Sequence, residues 1–325
     1  MKALVCRELS DDLSKLVFED IKLPDPEPDQ VKIRLRAAPT CFQDYLIVQG
    51  LYQFKPAVPF TPGLEGAGEV MEVGKDVHHI KPGDRVVAGL GVGGFAEEAI
   101  ATARSVRLAP VALNFAEASC YFSAYLTAYV ALYRRAALQK GETLLVHGAA
   151  GGIGLAACDL GKLFGATVIA TASTKEKRDM LRARGMDHVL DVTKGFKDEV
   201  KALTGGKGVN VIYDPVNGPV YEESTRCIAF DGRILVMGFT SGEHVRARTN
   251  HILIKGYSVM GVRGGEYGRQ FPDRGAENLT WVDEQAEAGL IKPYIGSTFP
   301  LEKAPDAIAM MRDRGAVGKV VVTMD

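Results

Sequence analysis

Leu144-Leu145-Val146-His147-Gly148-Ala149-Ala150-Gly151-Gly152-Ile153-Gly154 reads as an apolar strand, a glycine turn and the opening of a helix. Ala149, Gly151 and Gly154 stand at the fixed positions of a G-x-G-x-x-G fingerprint, with alanine at the first. The chemistry requires small residues there. The chain turns tightly, the backbone approaches a pyrophosphate closely, and the helix packs hard on its strand. The anion then rests on unpaired amides at the helix N-terminus, which predicts cofactor contacts from Ala150, Gly151, Gly152, Ile153 and Gly154. A glycine match alone is weak, but the flanking pattern supports it.

Downstream the alternation continues. Strand Thr167–Thr171, a helix from Thr174, a strand near Val189, a helix from Phe196 and strand Val209–Asp214 follow in turn. Two more strand candidates, Arg233–Gly238 and Tyr257–Val262, close the run. Parallel strands joined by helical crossovers predict a doubly wound α/β domain. Upstream the pattern differs. Val31, Ile33 and Leu35 alternate with Lys32, Arg34 and Arg36, and short apolar runs at Gly68–Val73, Arg85–Ala88 and Phe95–Ile100 are punctuated by Pro62-Gly63 and Pro82-Gly83-Asp84. Such spacing predicts a small, β-rich, barrel-like unit. Asn114 with Glu117 forms a capping-box pattern ahead of a helix from Phe115 to about Leu138. Helices around Ala276–Ala288 and Pro305–Arg314 precede a last strand, Lys319–Thr323.

The 325 residues carry a formal net charge of −1, with 46% hydrophobic and 24% charged residues. That balance fits a folded chain of about two domains. It argues against a nucleic-acid partner, which needs an excess of Lys and Arg. The most apolar stretch, Leu144–Leu163, contains His147, Asp159 and Lys162, so no membrane span is expected. Charges at Arg7, Glu8 and Asp11 interrupt any secretory h-region. The five scattered cysteines form neither a disulfide framework nor a zinc knuckle, which predicts a reducing, cytoplasmic setting.

An NAD site carries an acid about 20 residues past the fingerprint. Here the second strand ends Ile169-Ala170-Thr171-Ala172-Ser173, and Lys175, Lys177 and Arg178 follow. Ser173 and Lys177 are therefore candidates for a 2′-phosphate, and NADPH is the expected cofactor. The alternative is that Ser173 caps the next helix with Glu176, the cations forming a solvated face.

Pro-Gly-Leu-Glu-Gly-Ala-Gly-Glu-Val (62–70), Gly-Asp-Arg-Val (83–86), the glycine loop and the closing Gly-Lys-Val-Val-Val (318–322) together resemble the medium-chain dehydrogenase/reductase superfamily. Ser123–Tyr129 (SAYLTAY), the Pro56–Gly63 run and Gly238–Gly242 (GFTSG) resemble its zinc-independent quinone oxidoreductase (zeta-crystallin-like) branch. The resemblance covers essentially the whole chain. It implies a GroES-like β-rich catalytic domain at 1–122 and 263–325, interrupted by a Rossmann-type NADPH-binding domain at 123–262. Zinc enzymes of the superfamily hold catalytic zinc with a Cys, a His of a G-H-E motif and a later Cys. Those places hold Cys41, Leu64 and Ser123 here, and leucine cannot ligate zinc. No metal is expected.

Quinone oxidoreductases commonly carry Asn where this chain has Cys41, in Cys41-Phe42-Gln43-Asp44. Cys41 reads either as a nucleophile or as a packing thiol, and no His or Lys neighbours it in sequence to activate it. The resemblance places Tyr45 and Tyr52 on the active-site cleft. Tyr52, of Gly50-Leu51-Tyr52, is either a proton donor or a pocket wall, and Tyr45 a wall. By the same resemblance Thr127 lies beside the nicotinamide. Phe239, Ser241 and Val262 pass its ribose and ring, and Lys319 reaches the cofactor phosphates. The bland readings are Phe239 as core and Lys319 as a strand-edge charge. Val192 stands where many relatives stack a tyrosine near the adenosine. His78 and His79 fall in an exposed loop, while Trp281, Met310 and Met311 read as packing residues.

The expected activity is hydride transfer from NADPH, without metal, to a quinone or another α,β-unsaturated carbonyl. Two rivals stand beside it. One is an enoyl or acrylyl thioester reductase, with Arg246, Arg248, Arg263 and Arg269 as candidates for a CoA phosphate patch. The other is a low-turnover NADPH-binding protein with a structural or RNA-binding role. A homodimer or homotetramer, built by sheet extension at Tyr257–Val262, is expected by analogy.

Overall fold

The computed structural model describes Met1 to Met324. The chain forms two compact units, one of Met1–Phe122 with the residues from Asp283 onward, the other of Ser123–Val282.

In chain order the first unit contains β1 (Lys2–Cys6), β2 (Leu16–Asp20), β3 (Gln30–Thr40), helix α1 (Phe42–Val48), β4 (Glu65–Val73), β5 (Arg85–Gly89), β6 (Glu98–Thr102) and β7 (Val106–Leu108). Strands β1 and β2 form an antiparallel pair. The alternation of β3 is expressed as expected, with Val31, Ile33 and Leu35 buried. The capping box that opens α2 (Phe115–Tyr129) is complete: the Asn114 amide donates to Glu117 Oε2 at 3.0 Å, and the Glu117 amide donates to Asn114 Oδ1 at 2.9 Å. The α-helix ends earlier than its pattern predicts. Val130–Arg135 winds as a π-helix, and Tyr129 stacks on Tyr133 and on Trp281 at ring separations of 4.9 and 4.4 Å.

The second unit alternates strand and helix: β8 (Thr143–Val146), α3 (Gly152–Leu163), β9 (Thr167–Ala172), α4 (Lys175–Ala183), β10 (His188–Asp191), α5 (Lys197–Leu203), β11 (Val209–Asp214), α6 (Pro219–Ser224), β12 (Ile228–Val236), α7 (Thr249–Lys255) and β13 (Ser258–Gly261). Helices α8 (Gly264–Gln270) and α9 (Pro272–Glu287) follow. The sheet is six-stranded, in the order β10-β9-β8-β11-β12-β13. Every pairing in it is parallel. This is the doubly wound order whose direction reverses between β8 and β11, where such sheets bind ligands beyond the strands' carboxyl ends. Its core includes Leu145, Ile169, Ile212 and Ile234.

The chain then returns to the first unit with β14 (Ile295–Pro300), α10 (Ala304–Arg312) and β15 (Lys319–Thr323). Strand β15 lies antiparallel to β3, with Val320 opposite Thr40. The resulting sheet runs β14-β15-β3-β4-β5-β7, with β6 also on β3. This β-rich unit and the parallel-sheet unit give the GroES-like and Rossmann-type α/β architecture. Among the described residues no helix is long and apolar enough to cross a membrane.

Candidate active site

The glycine loop folds so that its left-handed residue is Gly148, at φ +56°. Ala149 has ordinary backbone angles, so alanine at the first fingerprint position costs no strain. Its amide donates to Thr171 O on β9 at 3.2 Å, and the Gly151 amide closes the turn on Gly148 O at 3.0 Å. Gly154 must be glycine, because a Cβ there would fall 2.3 Å from Gly148 O. At Gly151 a Cβ would meet only Gly148 O, at 3.4 Å, leaving its outer side open. Gly151 caps α3, so the amides of Gly152, Ile153 and Gly154 lack partners within the helix. That cradle fits a dinucleotide pyrophosphate.

His147 supports the loop from beneath and is wholly buried. Its Nδ1 lies 3.0 Å from Thr171 Oγ1 and its Nε2 lies 2.8 Å from Ser224 Oγ. Burial pushes the ring down to about 3, so it stays neutral at physiological pH. Beside the loop, Asp214 Oδ1 accepts the amides of Val216 and Asn217, both at 2.9 Å. The turn so formed braces the segment after β12. The amides of Thr240 and Ser241 donate to Pro215 O and Val216 O at 3.1 and 3.0 Å, and the Val245 amide to Asn217 Oδ1 at 3.2 Å. Phe239 and Ser241 are thereby brought to the same carboxyl edge as the glycine loop. Phe239 is not core: it is 43% exposed and its ring lies 4.5 Å from that of His244. The Val262 amide extends the β12 register by donating to Val236 O at 3.1 Å. Two residues on, Gly264 packs so tightly on Thr127 that a Cβ would lie 2.8 Å from Thr127 Oγ1. Thr127 and Val262 thus share one neighbourhood.

At the end of β9 the helix cap belongs to Thr174, whose Oγ1 accepts the Lys177 amide at 3.3 Å. Ser173 is exposed and does not cap α4, which corrects the capping alternative. Arg178 is committed to structure. It donates to Ser173 O at 3.0 Å and pairs with Asp191 at 3.1 Å. Lys175 pairs with Asp179. Lys177 lies half-buried, and burial pushes its amine down. The acid near this turn comes from β10, not β9, and hydrogen bonds from the Thr193 hydroxyl and amide, with a smaller pull from Arg178, hold Asp191 below the usual carboxylate range.

Within the first unit, Cys41 precedes α1 and is the one cysteine of five that is not fully buried. Its amide donates to Asp44 Oδ2 at 2.7 Å, and Asp44 Oδ1 accepts the Gly63 amide at 3.2 Å. Lys319, buried to 8% exposure, places Nζ 3.9 Å from Cys41 Sγ. The resemblance put Lys319 on the cofactor phosphates; the structure gives its amine this thiol as a neighbour. Although the residue is partly exposed, its sulfur is densely enclosed, and burial pushes the thiol up to about 12 against the pull of Lys319. Burial and the neighbouring Glu65 also raise Asp44, to about 7, despite its two amide donors. Tyr45 and Tyr52 pack, half-buried, against the core of this unit. Sequence reading found Cys41 but missed Asp44, Glu65 and His147. A partner 278 positions away is legible only once β15 is laid beside β3.

The superfamily's zinc does not fit this chain. Leu64 offers no donor, and an ammonium already lies beside the one thiol that remains. Among the described residues no group of three or more His, Cys, Asp or Glu side chains is placed to hold a metal. Of the arginines named for a CoA patch, Arg263 and Arg269 both turn to Glu266, at 3.7 and 2.8 Å. Arg246 and Arg248 are exposed.

Comparison with known proteins agrees with these features. Residues 27–111 match the alcohol dehydrogenase GroES-like domain, and residues 152–281 match the family described as zinc-binding dehydrogenase. A quinone oxidoreductase-like protein 2 homolog of Nematostella vectensis is 38% identical, over 99% of this chain and 88% of its own length. Human quinone oxidoreductase is 32% identical, over 94% of this chain and 92% of its own. The structure of Escherichia coli quinone oxidoreductase complexed with NADPH superposes with a TM-score of 0.89, at 28% identity and 100% coverage of both chains. With a doubly wound sheet, a dinucleotide loop at its switch point and a zinc donor set that has lost its histidine, the chain is an oxidoreductase that belongs to the zinc-independent quinone oxidoreductase branch of the medium-chain dehydrogenase/reductase superfamily.

Proposed function

We propose that this protein is an NADPH-dependent, metal-free reductase that transfers hydride to a quinone or another α,β-unsaturated carbonyl. The observation that carries the reading is the glycine loop at the β8–β11 switch point, with the Ser173 hydroxyl at the end of β9 not used to cap α4. When bound, the nicotinamide supplies the hydride. The residues that would hold it are Ala150–Gly154 at the pyrophosphate, Ser173 and Lys177 at the 2′-phosphate, and Thr127, Phe239, Ser241 and Val262 towards the ribose and ring. A conjugated acceptor needs little Lewis-acid help, because its developing charge spreads onto oxygen. The unit containing Cys41 and Tyr52 is then the catalytic domain, and residues 123–262, which lie within the second unit, the cofactor domain.

A homo-oligomer in a reducing, cytoplasmic setting goes with this reading. Strand β13 is an open sheet edge. Beside it Phe230, Leu253 and Ile254 are 82%, 82% and 75% exposed, and Gly256 lies against the Phe230 ring. So apolar a surface beside an unpaired edge suits a second copy of this chain.

The test is steady-state turnover with NADPH and NADH against a simple quinone, a polycyclic quinone, an enone and an enoyl-CoA thioester. The expected result is preference for NADPH and for a quinone or enone. Preference for the thioester would move the assignment to an enoyl reductase, and binding of NADPH without turnover would count against any reductase.

A further inference from the structure

Asp191 closes β10 and stands opposite Ala172 in the parallel register, beside the strand end that leads into Ser173. An acid at the end of β9 is what a dinucleotide site uses to take the 2′-hydroxyl of NAD. This chain has its acid at the same edge, one strand over, where a bare carboxylate would repel a 2′-phosphate. The carboxylate is not bare. Its Oδ1 accepts the Thr193 hydroxyl at 2.6 Å and the Thr193 amide at 3.0 Å, and its Oδ2 lies 3.1 Å from Arg178 Nη2.

The same guanidinium reaches the Ser173 turn. Arg178 Nη1 donates to Ala172 O at 3.3 Å and to Ser173 O at 3.0 Å. The side chains of Arg178 and Asp191 are only 16% and 17% exposed, so water screens the pair little. One planar cation therefore spans the carboxyl ends of β9 and β10 from a position on α4. A lysine could not bind both sides in this way, because its ammonium lacks the fixed fork.

We propose that Arg178 and Asp191 form a positioning pair that sets cofactor choice, in which Arg178 masks the acid and fixes the turn that presents the Ser173 hydroxyl to a 2′-phosphate. This rests on the NADPH reading above and names residues that decide it. Neither side chain has to touch the phosphate. Arg178 acts through Ser173 and through the charge that it cancels.

The sign of each substitution separates this role from a plain structural brace. A brace that only tied β9 to β10 would loosen when either member was lost, and NADPH and NADH would suffer alike. A masked acid behaves otherwise. Without Arg178 the edge gains an uncompensated carboxylate, which repels a phosphate and accepts a hydroxyl. Without the carboxylate the edge keeps an uncompensated guanidinium, which attracts a phosphate and offers a 2′-hydroxyl little. The two single variants must therefore move the NADPH-to-NADH preference in opposite directions.

The experiment measures dissociation constants for NADPH and NADH by fluorescence titration of the full chain, with melting curves alongside. Arg178→Met should weaken NADPH binding about 30-fold and NADH binding no more than about threefold. Asp191→Asn, which keeps the side chain's shape, should tighten NADPH about threefold and leave NADH unchanged. The double variant should lie between the two. Arg182→Met removes a cation that pairs with Asp179 further along α4, and should leave the preference as it is. Equal weakening of both cofactors by Arg178→Met, or loss of NADPH preference in Asp191→Asn, would overturn the proposal. Asp191→Asn decides the matter alone if Arg178→Met does not fold. A wild type that prefers NADH, with variants still moving the preference in opposite directions, would remove the NADPH reading and keep the pair as the selector. A wild type that prefers NADPH, with variants that leave the preference fixed, would keep that reading and remove the pair.

Discussion

Thr174 Oγ1 accepts the Lys177 amide at 3.3 Å, and so the hydroxyl that caps α4 is not that of Ser173, the one proposed for the 2′-phosphate. The separation of roles makes a clean prediction. Ser173→Ala should raise the KM for NADPH about tenfold, the worth of one hydrogen bond to a charged group, and leave that for NADH and the thermal stability unchanged. Thr174→Ala should do the reverse, costing about 1 kcal/mol of stability with little change in cofactor preference. Paired melting curves and steady-state kinetics on the two variants check both.

The glycine loop offers a contrast between two substitutions three positions apart. Gly154→Ala drives a Cβ to 2.3 Å from Gly148 O, and the backbone cannot yield cheaply. We expect about 1–3 kcal/mol of destabilisation together with weakened NADPH binding. At Gly151 the added methyl meets only Gly148 O at 3.4 Å, so Gly151→Ala should fold with near-normal stability yet bind NADPH poorly, because the methyl enters the pyrophosphate's space. Urea unfolding and fluorescence titration with NADPH separate the two effects.

How far the sequence could be read follows from the physics of each element. The βαβ run was legible because apolar strands alternate with helical stretches at regular spacing, and β11 and β15 have the predicted limits. Strand β12 begins at Ile228, earlier than its pattern implies, because Asp231 at φ +60° and Gly232 look like a turn but form a local irregularity within it. Helix α1 has seven residues, too few for a 3.6-residue period to declare itself. Of the site, the backbone cradle was readable, since glycine spacing encodes it locally. The contacts of His147 with Ser224, and of Cys41 with Lys319, join residues 77 and 278 positions apart, which no local pattern encodes.

His147 gives stability a definite dependence on pH. The unfolded ring binds a proton below about 6.5 and the native ring only below about 3. The contribution of the neutral ring is therefore complete above 6.5 and is lost as pH falls through the window towards 3, by up to about 1.4 kcal/mol per unit. Urea midpoints at pH 7.5 and 5.5 should show a drop in wild type that is smaller in His147→Asn, after allowance for the lower starting stability of the variant.

The apolar surface beside β13 predicts the assembly state. Sedimentation should find the wild type larger than one chain, and Leu253→Lys with Ile254→Lys, both at exposed positions, should shift it to monomer. A wild type that sediments as a monomer at micromolar concentration would contradict this.

The most direct measurement of the central claim is NADPH consumption by chelator-treated protein in the presence of a 1,4-quinone, with NADPH deuterated in turn at each face of C4. The account predicts one NADPH consumed per quinone reduced, no loss on chelation, and slowing by deuterium at one face alone. NADPH that binds but is not consumed, or consumption that stops on chelation and returns with zinc, would contradict it.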